Sequence, residues 1–158
     1  MAAVPDLIST VRSRAVGALA LLLAAANATS AFELVTQKEA ALPAAPVLSL
    51  DLRGSPTRRP AVIVVSPPPA AAQLSSPLDL KLQFRAFGGA SIDPSTVVIT
   101  YLKQPAIDLT QRLTPFITAQ GISIPQAQVP PGKHQFWIEL KDNEGRIGGG
   151  AFSFQVGQ

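Results

Sequence analysis

From residue 61 to the C-terminus the chain repeats one rhythm, apolar then polar, in short runs that turn residues interrupt. Leu80, Leu82, Phe84 and Ala86 alternate with Lys81, Gln83 and Arg85. His134, Phe136, Ile138 and Leu140 alternate with Gln135, Trp137, Glu139 and Lys141, and Phe152, Phe154 and Val156 alternate with Ser153 and Gln155. Successive side chains of a strand point to opposite faces, so a period of two gathers the apolar set on one side of a sheet. Phe87-Gly88-Gly89, Val129-Pro130-Pro131-Gly132 and Asp142-Asn143-Glu144-Gly145 reverse the chain between runs. Ala61 to Ser66 is a largely β-branched run that prolines stop, and Ile122 and Ile124 begin a strand after Gly121. Thr96 to Lys103 is apolar on both faces, which predicts a strand covered on both sides. Ala106 to Thr118, interrupted by Pro115 and preceded by Pro105, has room for a single helical turn. Short strands separated by turns at intervals of about 10 to 20 residues predict an all-β sandwich or barrel.

Upstream the character changes: every aromatic except Phe32 lies beyond residue 80, and alanine crowds the N-terminal part. Residues 1 to 31 read as a cleaved secretory signal, because Arg12 and Arg14 precede the apolar run Ala15 to Ala26 and small residues follow through Ala31. Cleavage fits after Ala28 or after Ala31. The run falls short of the roughly 20 apolar residues that a membrane-crossing helix needs. The mature chain is therefore expected to be secreted or periplasmic, with no membrane span after cleavage. Residues 32 to 60 read as a transition segment, with a weak helix over Phe32 to Ala41 and prolines at 43, 46, 56 and 60. Within it, Leu48, Leu50 and Leu52 alternate with Ser49 and Asp51, the mark of an extra strand over 47 to 52. Residues 61 to 158 are then one domain, close to the size of a small sandwich.

Pro131-Gly132-x-His134, the alternating strand after it, Asp142, Gly145 and Phe152-x-Phe154-x-Val156 resemble the last hairpin of bacterial immunoglobulin-like domains of secreted proteins. Ser66-Pro67 and Ser76-Pro77, with the Leu80 to Ala86 strand behind them, look like the first strands of the same modules. The likeness spans about residues 61 to 157. It implies an immunoglobulin-like antiparallel β-sandwich of about seven strands, preceded by a helical signal peptide. The cysteine pair and in-phase core tryptophan of antibody domains are missing, so the resemblance is to the broad class.

The absence of cysteine excludes disulfides, thiolate metal sites and cysteine nucleophiles. His134 is the one histidine, so any histidine base must use it. Beside a Pro-Gly turn and in phase with Phe136, it reads as a hydrogen-bonded structural residue. Asp142, Asn143 and Glu144 could offer oxygens to calcium, but they are also ordinary hairpin-turn residues. Gly148-Gly149-Gly150 reads as a flexible hairpin arm or bulge. Asp51, Asp79, Asp93, Asp108 and Glu139 sit at edges, turns or solvent faces, and none is marked out as half of a catalytic pair. No catalytic residue, metal or cofactor is expected. The formal charge of +3 is diffuse, with Arg58-Arg59 the densest basic cluster, and no aromatics interleave the cations, which speaks against nucleic acid.

Trp137 is the residue that most invites a function, because it falls out of phase with the buried side of its strand. In the immunoglobulin-like arrangement that strand neighbours Thr96 to Lys103. The shared outer face would carry Trp137 with either Val98 and Leu102 or Val97, Ile99 and Tyr101. An interaction face of Trp137, Tyr101, Gln135 and Glu139 is the expectation, unless Leu48, Leu50 and Leu52 cover it. The expected role is a non-catalytic module for protein interaction or structural support. Its partner would be an envelope or extracellular protein or a glycan, with a homodimer contact as another use of the face. A carbohydrate-binding module, and behind it a small extracytoplasmic enzyme, are the alternatives.

Overall fold

A computed structural model describes residues 31–46, 58–68 and 73–157; the signal reading and the strand expected over 47 to 52 lie outside the described residues. The chain begins with β1 (Phe32–Glu33) and a one-turn helix α1 (Gln37–Ala40), then β2 (Ala61–Ser66), β3 (Leu78–Arg85) and β4 (Ile92–Tyr101). β5 (Ile107–Asp108), α2 (Thr110–Leu113), a 3-10 turn over Thr114–Phe116 and β6 (Ile117–Thr118) follow. The long strands β7 (Gly121–Gln128), β8 (Gly132–Asp142) and β9 (Ile147–Val156) close the domain. The order is β1-β7-β3-β2-β9-β8-β4-β5, with β6 on the side of β7, in one sheet that curls over itself. The fold is all-β and sandwich-like. Among the described residues there are nine strands: six longer ones, close to the seven expected, and the two-residue β1, β5 and β6, which side-chain rhythm cannot reveal.

The alternation is realised residue by residue. In β3, Leu78, Leu80, Leu82 and Phe84 are buried while Asp79, Lys81, Gln83 and Arg85 are exposed. Along β8 and β9 the buried set is His134, Phe136, Ile138, Leu140 and Asp142 with Phe152, Phe154 and Val156. Curling brings Leu80, Leu82 and Ile122 of one half against Ile99, Phe136, Ile138 and Phe152 of the other, around a void of about 10 Å³. Tyr101, Phe136 and Phe152 are register partners on three adjacent strands, and their rings stack at centroid spacings of 5.0 and 4.9 Å.

Residues 32 to 46, read above as a transition segment, form a strap across the domain. Leu34 and Val35 are buried in the core, and β1 runs parallel to β7. The helix is shorter than the Phe32 to Ala41 stretch. It starts at a capping box, in which Thr36 Oγ1 accepts from the Glu39 amide and Glu39 Oε2 accepts from the Thr36 amide. The single helical turn expected between Ala106 and Thr118 is α2, which anchors buried Leu113 just after buried Leu109.

Gly148-Gly149-Gly150 lies in the β9 arm of the β8–β9 hairpin and makes no bulge. All three lie in unbroken register against Leu140, Glu139 and Ile138. A β-carbon on Gly148 would collide with the carbonyl of Pro60, and one on Gly149 with the carbonyl of Ile138. Gly148 lets the chain entering β2 cross β9 backbone against backbone, and Gly149 lets β8 approach as closely from the other side. We expect Gly148→Ala to lower stability in a urea melt by about 1–3 kcal/mol. Ala151→Val, at an exposed position of the same strand, should change it by less than about 0.5 kcal/mol.

Candidate functional site

The outward face of the β4, β8 and β9 layer is built by the positions that alternation leaves over. Trp137 lies between Thr100 of β4 and Ala151 of β9, and Glu139 lies between Val98 and Gly149. Val98 is 42% exposed, and Trp137, Gln135, Glu139 and Leu102 are half-buried. Of the two arrangements the sequence left open, the one with Val98 and Leu102 outside is the one formed. Tyr101 is 0% exposed, so it does not belong to this face. Its register partner is Phe136, whose inward phase turns the Tyr101 ring into the core.

Inside, Tyr101 and His134 make a buried polar pair. The Tyr101 hydroxyl and His134 Nδ1 are 2.8 Å apart, and His134 Nε2 lies 2.8 Å from the carbonyl of Pro130. The carbonyl can only accept, so Nε2 carries the proton and Nδ1 accepts from the tyrosine. Burial pushes the hydroxyl of Tyr101 up to about 12, with the charge of Glu39 adding to the effect. Burial also holds the imidazole below its usual value; the Pro130 carbonyl opposes this and Lys103 reinforces it. A neutral histidine with both nitrogens engaged in the core is the structural residue that its phase implied. It has no free nitrogen with which to act as a base.

Asp142 is likewise committed. One carboxylate oxygen accepts from the amides of Glu144 and Arg146, and the other from Arg146 Nε at 2.7 Å. Burial would raise its pKa, but the bonds and charge of Arg146 outweigh it and hold the carboxyl below the ordinary range. Asn143 Oδ1 accepts from the Ser91 amide and so points away from any shared ion site. These three residues therefore act as turn residues. Among the described residues no group of three or more His, Asp or Glu converges as metal ligands would. Asp79, Asp93 and Asp108 accept from the nearby backbone amides of Gln126, Ser95 and Thr110. A groove of about 300 Å³ on the β3 and β7 side, with Val65, Lys81, Phe116 and Gln120 in its wall, has no histidine or carboxylate lining it.

One feature escaped the sequence reading. Arg112 of α2 grips Glu39 of the strap through two bonds of 2.9 and 2.7 Å and also donates to the carbonyl of Leu34. The Arg112 bonds hold the Glu39 carboxyl down at about 2. Lys103, 7% exposed, donates to the carbonyls of Ala40 and Leu42 and stands 5.3 Å from the centroid of the Tyr101 ring. The Thr36-x-x-Glu39 spacing was the available signal for the helix start. Its partners lie more than sixty residues away in sequence, which local pattern cannot show.

No protein-family model matches the sequence, and no curated protein matches it. Among solved structures, one similar to this chain is the crystal structure of CopC from Methylosinus trichosporium OB3b. The identity is 17%, the match covers 61% of this chain and 93% of that one, and the TM-score is 0.40.

Two substitutions test the assigned roles. Tyr101→Phe should cost about 1–3 kcal/mol in a urea melt, because it leaves Nδ1 of His134 buried without a donor. Asp142→Ala should lower the melting midpoint well beyond Glu144→Ala, since Asp142 ties the turn together while Glu144 is half-exposed and bonds only at its rim.

Proposed function

We propose that this chain is a secreted or periplasmic immunoglobulin-like module that acts by binding, without catalysis or cofactor. Its contact surface is the outward face of β4, β8 and β9. The observation that carries this reading is the row of Thr100, Trp137 and Ala151 across three hydrogen-bonded strands, flanked along β8 by Gln135 and Glu139, with exposed Val98 beside Glu139 in the next outward row. A large ring held on a rigid ladder between small neighbours presents flat apolar area at little cost in ordering, and polar rims around such a centre are usual at interfaces. The immunoglobulin-like assignment draws support from the antiparallel β2–β3, β3–β7, β4–β8 and β8–β9 pairings and from β2 bridging the two halves. A protein partner is favoured over a glycan, because the second ring that a sugar platform would use, Tyr101, is in the core.

The double variant Trp137→Ala, Val98→Lys should abolish self-association in sedimentation velocity, or capture of the partner in cross-linking from the extracytoplasmic fraction. Its melting curve should remain cooperative. Unchanged association, with a stability loss of the about 3–5 kcal/mol that truncating a core tryptophan brings, would show that the face is only structural.

A further inference from the structure

The strap of residues 32 to 45 closes over the buried Tyr101 and His134 from two sides. On one side Lys103, above the tyrosine ring, holds the carbonyls of Ala40 and Leu42. On the other, Val35 and Gln37 line a cleft together with Val129 and with Pro130, whose carbonyl takes the histidine proton. The geometry points to an acid-sensitive strap: residues Phe32 to Ala45 close over this pair only while the imidazole of His134 is neutral, and a second proton on that ring lifts them.

In the closed arrangement Nδ1 is already occupied as an acceptor from Tyr101. A proton there would force the hydroxyl to reverse and would place a cation, 1% exposed, beneath the ammonium of Lys103. The tyrosine ring lies between the two, 5.8 Å from the imidazole centroid and 5.3 Å from Nζ. Repulsion then acts on the group that pins Ala40 and Leu42, while hydration of the ring requires the covering chain to move. The charges acting on the pair are Lys103, just past the end of β4, on the imidazole and Glu39 of the strap on the tyrosine, with Arg112 of α2 bonded to Glu39. Phe136 of β8 and Phe154 of β9 contribute none.

The sign follows from linkage. The closed state binds the proton more weakly than the open state, so acid favours opening. Between the ordinary histidine value and the lowered one of the closed state, the open-to-closed ratio rises by up to about tenfold per pH unit. Glu39, held at about 2, and Tyr101, at about 12, titrate outside that window and leave His134 as the sensor.

Hydrogen exchange of the full chain from about pH 7.5 to about pH 5, corrected for the intrinsic pH dependence of exchange, reads the strap directly. Once the pH falls below the ordinary histidine value, the amides of Leu34, Ala41 and Ala45, bonded to Gln128, Gln37 and Leu102, should open several-fold to tenfold more per unit of acidification, while those of the β8–β9 ladder hold. In His134→Gln the strap amides should show no pH slope. A flat wild type, an equal slope in the variant, or a parallel rise along β8 and β9 would each overturn the proposal. Lys103→Met supplies a second arm that leaves the histidine in place. It should loosen the strap at about pH 7.5 and return the imidazole titration, followed by NMR, toward its ordinary value. A loosened strap with an unmoved histidine titration would contradict the coupling, as would an unloosened strap.

Discussion

A sheet with one oily face has to find a cover for it, and this chain has no long helix among its described residues to supply one. The sheet covers itself. With strands β7, β3 and β2 on one side and β9, β8, β4 and β5 on the other, curling sets Leu80, Leu82 and Ile122 against Ile99, Phe136 and Phe152. Everything else follows from that closure. The ladder of Tyr101, Phe136 and Phe152 fixes the register of three strands, and the same register sends Trp137 and Val98 outward. The interior pair and the exterior face are two consequences of one phase.

Closure at the seam rests on backbone rather than on side chains. β2 meets β9 in parallel only at Ala61 and Gly149, and Gly148 leaves room for Pro60 to pass. The strap performs a similar service at the opposite margin, where β1 covers the edge of β7. It is held by charge: Arg112 on Glu39 and Lys103 on the carbonyls of Ala40 and Leu42. Polar fasteners of this kind can be released by a change of charge, where a purely apolar contact would not respond.

Where alternation was strict, the sequence was readable. The phases of β3, β8 and β9 follow directly from Leu80, Phe136 and Phe154, and the inward, structural place of His134 follows with them. β4 was ambiguous because Val97, Ile99 and Tyr101 are as apolar as Val98, Thr100 and Leu102. Only the pairing of Tyr101 with Phe136, a long-range fact, decides between them. For the same reason Tyr101 could be mistaken for a surface ring. The strap was legible only as a weak helix over Phe32 to Ala41, since Arg112 and Lys103 reach it from distant segments. The glycines of β9 looked like freedom, and their purpose is clearance for a neighbour that no local pattern names.

Because the chain has one histidine, that ring reports the phase of β8 without ambiguity. A long-range nitrogen–proton NMR correlation at about pH 7.5 would read its tautomer. The account requires a single, slowly exchanging form protonated at Nε2, with Nδ1 accepting from Tyr101. A ring that averages between tautomers in fast exchange with water would contradict the buried place of His134 and with it the phase of β8, and one protonated at Nδ1 would contradict its bonds to Tyr101 and Pro130.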